Sequence, residues 1–105
     1  KGLHADKYAP MCPQMDGEKV GGDEDCLFLN IWRPWQTSAV DRLPVMVWIY
    51  GGAFVSGDAG DNESPNTYDG CGLASRHGVL VASMNYRLGP LGFSALENPS
   101  GGTDA

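Results

Sequence analysis

A short run of small residues ends an apolar stretch near the middle of the chain. The run is Tyr50-Gly51-Gly52-Ala53-Phe54, and it follows the apolar residues 43–49. Because Gly52 and Ala53 carry no bulky side chain, their backbone N–H groups can point together at one developing oxyanion. Removing one such donor from a hydrolase costs about 3 to 4 kcal/mol of transition-state stabilisation. Gly-Gly pairs also occur in ordinary turns, and the motif alone leaves that alternative open.

No nucleophile accompanies this candidate oxyanion loop. The pentapeptide Gly-x-Ser-x-Gly, which presents a nucleophilic serine on a sharp turn, does not occur in residues 1–105. Ser56 lies close to the loop but has no partner base in the sequence, so we interpret it as loop-stabilising. We interpret His4 and His77 as structural or solvent-facing. The sequence therefore predicts oxyanion donors without a serine, histidine or acidic member of a catalytic triad.

The charge balance disfavours several classes of partner. Seven basic residues against thirteen acidic ones give a net charge of −6, which opposes binding to nucleic acid or anionic lipid. The acidic residues gather in residues 16–25 and 58–69 without the ligand spacing of a calcium loop, so we predict solvated loops, no metal and no cofactor. No apolar run approaches the ~20 residues that span a bilayer, so we predict no integral membrane segment.

Three cysteines leave the redox compartment open. Cys12 and Cys26 bracket a polar stretch, and Cys71 stands apart. In an oxidising compartment, a Cys12–Cys26 bond would close a loop of about 15 residues and stabilise by about 3 kcal/mol, whereas in cytosol the pair would stay reduced. Asn62, in Asn62-Glu63-Ser64, is a formal glycosylation acceptor. Together these features favour a secreted or extracellular location over a cytoplasmic one.

The loop must be positioned by strands on either side of it. Residues 1–25 show no periodicity and are predicted to be irregular surface chain. Residues 26–34 are predicted to form a strand with Leu27, Leu29 and Ile31 on one face. Residues 43–50 are apolar without alternation, which is typical of a central parallel strand covered on both faces. We expect its Val45, Val47, Trp48 and Ile49 to be buried if neighbouring elements exist.

The second half of the chain predicts a crossover back to the same sheet. Residues 69–76 indicate a short helix with Leu73 and Ala74 on its apolar side, ended by Gly78. Residues 79–86 are predicted to form a third strand, parallel to the one before the helix. Residues 88–93 are predicted to be a turn-rich connection. The fold class is α/β, with mostly parallel central strands, a short crossover helix and too few strands for a self-contained sheet.

Three blocks of the sequence carry a resemblance to a known family. The first contains Glu24-Asp25-Cys26-Leu27-Phe28-Leu29-Asn30-Ile31-Trp32-Arg33-Pro34. The second contains Leu43-Pro44-Val45-Met46-Val47-Trp48-Ile49-Tyr50-Gly51-Gly52-Ala53-Phe54-Val55-Ser56-Gly57. The third contains Asn85-Tyr86-Arg87-Leu88-Gly89-Pro90-Leu91-Gly92-Phe93. In order and over nearly the whole chain, these blocks resemble the type-B carboxylesterases, an α/β-hydrolase family that includes cholinesterases and some fungal lipases.

The resemblance implies roles for individual residues. Gly52 and Ala53 would donate two oxyanion-hole N–H groups, with Gly51 providing the turn and Phe54 a candidate for the substrate pocket. The family more often has a third glycine where this chain has Ala53. Cys12 and Cys26 fall where the family places its first disulfide. The serine, acid and histidine of the family follow downstream, so residues 1–105 would be a fragment of one domain that needs the rest of the parent polypeptide.

The implied activity of the parent is hydrolysis of small-molecule carboxylic esters through an acyl-enzyme. We expect the 105 residues alone to be inactive. Cholinesterases hold choline on a tryptophan in the first disulfide loop, and residues 13–25 contain no aromatic residue, so choline esters are disfavoured. Two alternatives remain open on the sequence. The parent could be a catalytically inactive relative that serves in binding or adhesion, or the 105 residues could act as a small binding module.

Overall fold

The computed structural model describes residues 7–38, 40–60 and 67–95. Within these ranges the chain forms five strands and two helices in the order β1, β2, β3, β4, α1, β5, α2. Their bounds are β1 Gln14–Asp16, β2 Lys19–Gly21, β3 Leu29–Trp32, β4 Val45–Trp48, α1 Cys71–His77, β5 Leu80–Met84 and α2 Gly89–Phe93. In these described ranges, no helix has the length and apolarity to cross a bilayer.

The main sheet is mixed and has three strands in the order β3-β5-β4. β4 and β5 run parallel, with Val45 opposite Leu80 and Trp48 opposite Ser83. This pairing confirms the predicted strand, helix, strand crossover. β3 pairs with β5 in the antiparallel sense, with Leu29 opposite Met84. The sheet therefore combines one parallel and one antiparallel pair.

The crossover helix α1 is fixed at both of its ends. At its start, the Asp69 carboxylate accepts a hydrogen bond of 2.8 Å from the Cys71 N–H, which satisfies one donor that the helix leaves unpaired. At its end, Gly78 adopts a left-handed φ of 62° and donates to the Ala74 carbonyl, as predicted for this glycine. Ala74 is buried against the sheet side, whereas Leu73, predicted to share that side, is exposed.

Two elements were not expected from the sequence. Residues 1–25 were predicted to be irregular, but β1 and β2 form an antiparallel hairpin with Asp16 opposite Lys19. Its two-residue turn begins with Gly17 at a φ of 61°, which glycine adopts without steric cost. Residues 88–93 were predicted to be turns, but residues 89–93 form the single-turn helix α2. Pro90 in its first turn has the fixed φ that suits a helix start.

The condition under which β4 was predicted to be buried, that neighbouring elements cover it, is not met by the described residues. Val45, Met46, Val47 and Trp48 are 46–59% exposed, and Ile49 is exposed as well. The reason is geometric: β4 lies at one side of the three-stranded sheet, and α1 is the helix that packs on its neighbour β5. Leu29 and Ile31 share one face of β3 as predicted, but that face is also exposed. An apolar run of this kind suits a strand that is covered on both faces. The described residues do not cover both faces of β4.

The buried centre lies at the carboxyl end of the parallel strands. Tyr50, Ala59 and Leu88 form a buried cluster, and Tyr68 and Tyr86 pack against it. These residues come from the segments that directly follow β4 and β5, together with the connection to α1. The chain is therefore best packed beside the candidate loop.

Candidate functional site: the loop after strand β4

The backbone after β4 turns sharply through three successive residues with positive φ. Gly52, Ala53 and Phe54 have φ values of 124°, 53° and 63°. The Gly52 carbonyl closes the turn by accepting hydrogen bonds from the Val55 N–H at 3.0 Å and the Ser56 N–H at 3.1 Å. The Ser56 hydroxyl also approaches this carbonyl, at 3.5 Å. The carbonyl of Gly52 is thus used within the loop itself.

The Gly52 and Ala53 N–H groups, unlike the Gly52 carbonyl, take no part in the hydrogen bonds of the turn. Within residues 7–38, 40–60 and 67–95, neither the Gly52 N–H nor the Ala53 N–H donates a hydrogen bond to a protein acceptor. Both residues are exposed. Successive backbone N–H groups near left-handed residues form concavities that bind anions. The loop therefore offers two neighbouring donors to an added acceptor.

Of the two neighbouring glycines at the start of the loop, Gly52 must be glycine and Gly51 need not be. A Cβ at Gly52 would lie 1.8 Å from the Ser56 carbonyl oxygen, which no side chain can occupy. A Cβ at Gly51 would meet nothing within 4 Å, and Gly51 is not among the residues with positive φ. The sharp turn therefore lies at residues 52–54 rather than at Gly51, where the resemblance placed it.

The start of the loop is held by an exchange of hydrogen bonds between two tyrosines. The Tyr50 hydroxyl donates to the Tyr86 carbonyl at 3.1 Å, and the Tyr86 hydroxyl donates to the Tyr50 carbonyl at 2.7 Å. Their rings stack with centroids 4.3 Å apart. Tyr50 follows β4 and Tyr86 follows β5, so the pair joins the carboxyl ends of the two parallel strands. Burial raises the pKa of the Tyr50 hydroxyl above its usual range.

The end of the loop is held by a side chain from the hairpin. The Gln14 amide donates to the Gly57 carbonyl at 2.8 Å and accepts from the Gly57 N–H at 2.7 Å. Gly57 itself has a φ of 122°, and a Cβ there would lie 2.6 Å from the Tyr50 ring. Tyr50, where the loop begins, and Gly57, where it ends, are therefore in close contact.

A cluster of polar side chains fixes the chain just beyond the loop. Asn30 and Ser83 both donate to the Ala59 carbonyl, at 3.1 and 3.2 Å. Asn85 accepts from the Ala59 N–H at 2.8 Å and donates to the Pro10 carbonyl at 3.0 Å. Ser83 and Asn85 are buried. These side chains replace the ladder hydrogen bonds that a non-strand segment cannot make.

Phe54 lies at the outer side of the turn. Its side chain is 63% exposed and meets Phe93 of α2 edge to face, with ring centroids 5.1 Å apart. Its carbonyl accepts from the Gly89 N–H at 2.7 Å. α2, which sequence reasoning missed, thus joins the loop at the residue that the resemblance placed in the substrate pocket. The exposed aromatic pair therefore forms an apolar surface beside the Gly52 and Ala53 N–H groups.

The disulfide expected from the resemblance is present. Cys12 and Cys26 are bonded with an S–S distance of 2.04 Å, and both are fully buried. The bond closes the segment that contains the hairpin. Cys71 is a free, exposed thiol at the start of α1.

Among the remaining candidate residues, Ser56 helps to close the turn and His77 is exposed. His77 is exposed in the last turn of α1, and Ser56 bonds only the loop carbonyl. His4 and Asn62 lie outside the described residues. No group of three or more potential metal ligands occurs among the residues that the structure describes. Sequence reasoning did not predict the contacts of Gln14, Asn85, Tyr50 or Tyr86, and a polar residue ending an apolar strand was the only available signal for Asn85 and Tyr86.

Comparison with known proteins places the chain in a family. The profile of the carboxylesterase family matches residues 1–101. Human bile salt-activated lipase is 49% identical over 96 residues, covering 87% of this chain and 13% of the lipase. The para-nitrobenzyl esterase of Bacillus subtilis is 44% identical over 103 residues, covering 91% of this chain and 20% of the esterase. Zebrafish (Danio rerio) acetylcholinesterase is 52% identical over 77 residues, covering 73% of this chain and 11% of the enzyme.

Solved structures agree with the sequence matches. A thermophilic PNB esterase superposes with a TM-score of 0.68 at 41% identity, covering 86% of this chain and 19% of that one. A second PNB esterase gives 0.67 at 46% identity, with 86% and 18% covered. The shared architecture confirms a partial α/β-hydrolase fold. The chain spans between about a tenth and a fifth of the length of these relatives. The profile match and these relatives together show that this chain belongs to the carboxylesterase family.

Proposed function

We propose that residues 51–54 supply the oxyanion side of a carboxylic ester hydrolase. The observation that carries this proposal is that Gly52 and Ala53 are exposed residues whose N–H groups have no protein acceptor among the described residues. In ester hydrolysis the carbonyl oxygen gains negative charge as the tetrahedral intermediate forms. Fixed N–H donors stabilise that charge without having to reorganise during the reaction.

The chemistry that these donors assist is the two-step reaction of a serine hydrolase. A serine attacks the ester carbonyl, an acyl-enzyme forms as the alcohol leaves, and water then releases the acid. A tetrahedral oxyanion arises in each step and rests on the same donors. In this fold a third donor is the N–H of the residue after the nucleophile. The serine, histidine and acid come from the polypeptide beyond these 105 residues, and the substrate is a small carboxylic ester.

The chain functions as one segment of a larger α/β-hydrolase domain. Support comes from β4, whose apolar side chains are about half exposed on both faces. Burying a side chain of this size contributes about 1.5 to 3 kcal/mol. The matched relatives, of which this chain covers only a small share, are long enough to supply the covering elements.

The disulfide supports a secreted or extracellular setting. Bonds of this kind persist in oxidising compartments and are rare where thiols are kept reduced. The Cys12–Cys26 pair is buried and closes the hairpin that contacts the loop. The proposed enzyme therefore works outside the cytosol.

The test is an assay of the full-length polypeptide that carries these residues. We expect saturable hydrolysis of a short p-nitrophenyl ester, and stoichiometric inactivation by an organophosphate that phosphorylates one serine as its leaving group departs. Mass spectrometry of the inactivated protein locates the adduct outside residues 1–105. The isolated 105 residues should hydrolyse the ester no faster than a denatured control. A full-length protein that folds yet neither turns over the ester nor takes up the organophosphate would instead be a non-catalytic member of the family.

A further inference from the structure

The hairpin β1–β2 reaches the candidate oxyanion loop through the side chain of Gln14. Gln14 bonds both backbone groups of Gly57, donating to its carbonyl at 2.8 Å and accepting from its N–H at 2.7 Å. The two residues are 43 positions apart in the sequence. A side-chain amide that bonds both groups of one residue fixes the position of that peptide and also its direction.

The orientation of the Gln14 amide is itself determined. Its nitrogen donates a second hydrogen bond to the Cys12 carbonyl, at 3.1 Å. Both N–H groups of the amide are therefore used, and a flipped amide would place its oxygen against two carbonyls. Cys12 is buried and held by the disulfide, so the carbonyl that orients the Gln14 amide is itself fixed in position.

Movement at Gly57 cannot be confined to Gly57. A Cβ built there would lie 2.6 Å from the Tyr50 ring and 2.7 Å from the Gly51 carbonyl oxygen, so the backbone of Gly57 already packs against both. Gly51 precedes Gly52, the first of the two proposed donors. A displaced Gly57 therefore releases or pushes the peptide that carries the Gly52 N–H.

We propose that Gln14 is a positioning residue for the oxyanion donors. It touches no reacting atom. It holds the last residue of the loop against the first, and so fixes the direction of the Gly52 and Ala53 N–H groups before substrate arrives. Preorganised donors lose much of their effect when misplaced by about 1 Å, which can cost on the order of 100-fold in rate. This inference rests on the proposed function of the loop.

The test replaces Gln14 in the full-length polypeptide by methionine, which has a similar length and no amide. Gln14→Met should lower kcat for a p-nitrophenyl ester by about 10-fold or more, with KM changed by less than about 2-fold. The affinity for a trifluoromethyl ketone, which forms a tetrahedral adduct with the serine, should fall by the same factor as kcat/KM. Gln36→Met is the matched control, because Gln36 is exposed in a turn and its side chain makes no hydrogen bond with a described residue. It should leave all three quantities unchanged.

Hydrogen exchange and a second variant complete the design. Exchange of the Gly57 amide should be faster in Gln14→Met, which verifies that the contact has been broken. Gln14→Glu keeps an acceptor for the Gly57 N–H but loses the donor to its carbonyl, so it serves if Gln14→Met does not fold and should also lower kcat with KM preserved. A kcat like that of the wild type in a folded variant with faster Gly57 exchange would overturn the inference. A wild-type protein without turnover would overturn the proposed function instead.

Discussion

Tyr50 and Tyr86 each donate a hydroxyl hydrogen bond to the backbone carbonyl of the other, across the ends of two parallel strands. Their rings stack almost in parallel, with an interplanar angle of 14°. The exchange satisfies two carbonyls at the point where the β4–β5 ladder has ended and the chain turns into the candidate loop. The ring stack and the hydrogen bonds place Tyr50 so that the next residues leave the strand in one direction.

Removing one hydroxyl should measure what this exchange contributes. Tyr86→Phe leaves the Tyr50 carbonyl without its 2.7 Å donor beside a buried ring, and we expect the free energy of unfolding to fall by about 1 to 2 kcal/mol. Urea denaturation of the full-length polypeptide measures it. Tyr68→Phe is the control, because the Tyr68 ring packs on Trp48 and its hydroxyl makes no hydrogen bond with a described residue. Equal losses in the two variants would contradict the assigned role.

Alkaline pH should destabilise the fold through Tyr50. Burial raises the pKa of its hydroxyl in the folded state, and burial followed by the Asp69 carboxylate does the same for Tyr8. Below about pH 10 both folded and unfolded states keep these protons, so stability does not depend on them. Above that pH the unfolded state releases its protons first, and the free energy of unfolding falls as pH rises. Urea titrations from pH 8 to pH 11 should show the decline, and Tyr50→Phe should weaken it. A stability that is level over this range would contradict the prediction.

A single methyl group at Gly52 should abolish most activity. The added Cβ would meet the Ser56 carbonyl oxygen at 1.8 Å, so the turn must open and the Gly52 and Ala53 N–H groups must move. We expect Gly52→Ala in the full-length polypeptide to lower kcat by about 100-fold or more, the cost of losing an oxyanion donor. Stopped-flow or steady-state assays with a p-nitrophenyl ester provide the measurement.

Gly72→Ala is the matched control for that substitution. Gly72 lies in α1, has no positive φ, and would place a Cβ in open space. Its kcat should equal that of the wild type, and the helix should gain up to about 1 kcal/mol. If Gly52→Ala is folded and keeps its kcat, the oxyanion assignment is incorrect.

The disulfide should account for a measurable part of the stability. The Cys12 and Cys26 thiols are bonded over a sequence separation of 14, which corresponds to about 3 kcal/mol in the chain-entropy model. The double variant Cys12→Ala/Cys26→Ala should lose about that much free energy of unfolding in urea titrations. Cys71→Ser changes an exposed free thiol and should stay within about 0.5 kcal/mol. Alkylation before reduction should label Cys71 and leave the other two unlabelled.

The sequence predicted the structure best where a short local pattern, such as an apolar run or a glycine at a helix end, determines the element. The apolar runs before Gly51 and after Gly78 predicted β4 and β5, and Gly78 ended α1 because only glycine takes a left-handed φ cheaply. The hairpin was missed because each of its strands has only three residues, which is too short to show an alternation. α2 was missed because Gly89 and Gly92 suggested turns, although Pro90 suits a helix start.

The contacts that fix the candidate loop could not be read from the sequence. Gln14 meets Gly57 from 43 positions away, and Asn85 meets Pro10 from 75 positions away. Neither pair follows a helical or strand period, so no sequence pattern connects their members. The loop donors could be proposed from residue type alone, because small residues after an apolar strand are a local signal. The side chains that hold them depend on the assembled fold.

Asn85 also sets an order of events for the folding chain. The pairing of β4 with β5 closes a segment of about 35 residues and needs nothing from the opening of the chain. Asn85 joins the Ala59 N–H, which lies within that segment, to the Pro10 carbonyl, which lies outside it. Closing the longer loop, between Pro10 and Asn85, costs more chain entropy than pairing β4 with β5. We therefore expect the opening segment to dock late, so that the last native contacts to form are those that hold the loop after β4 in its final shape.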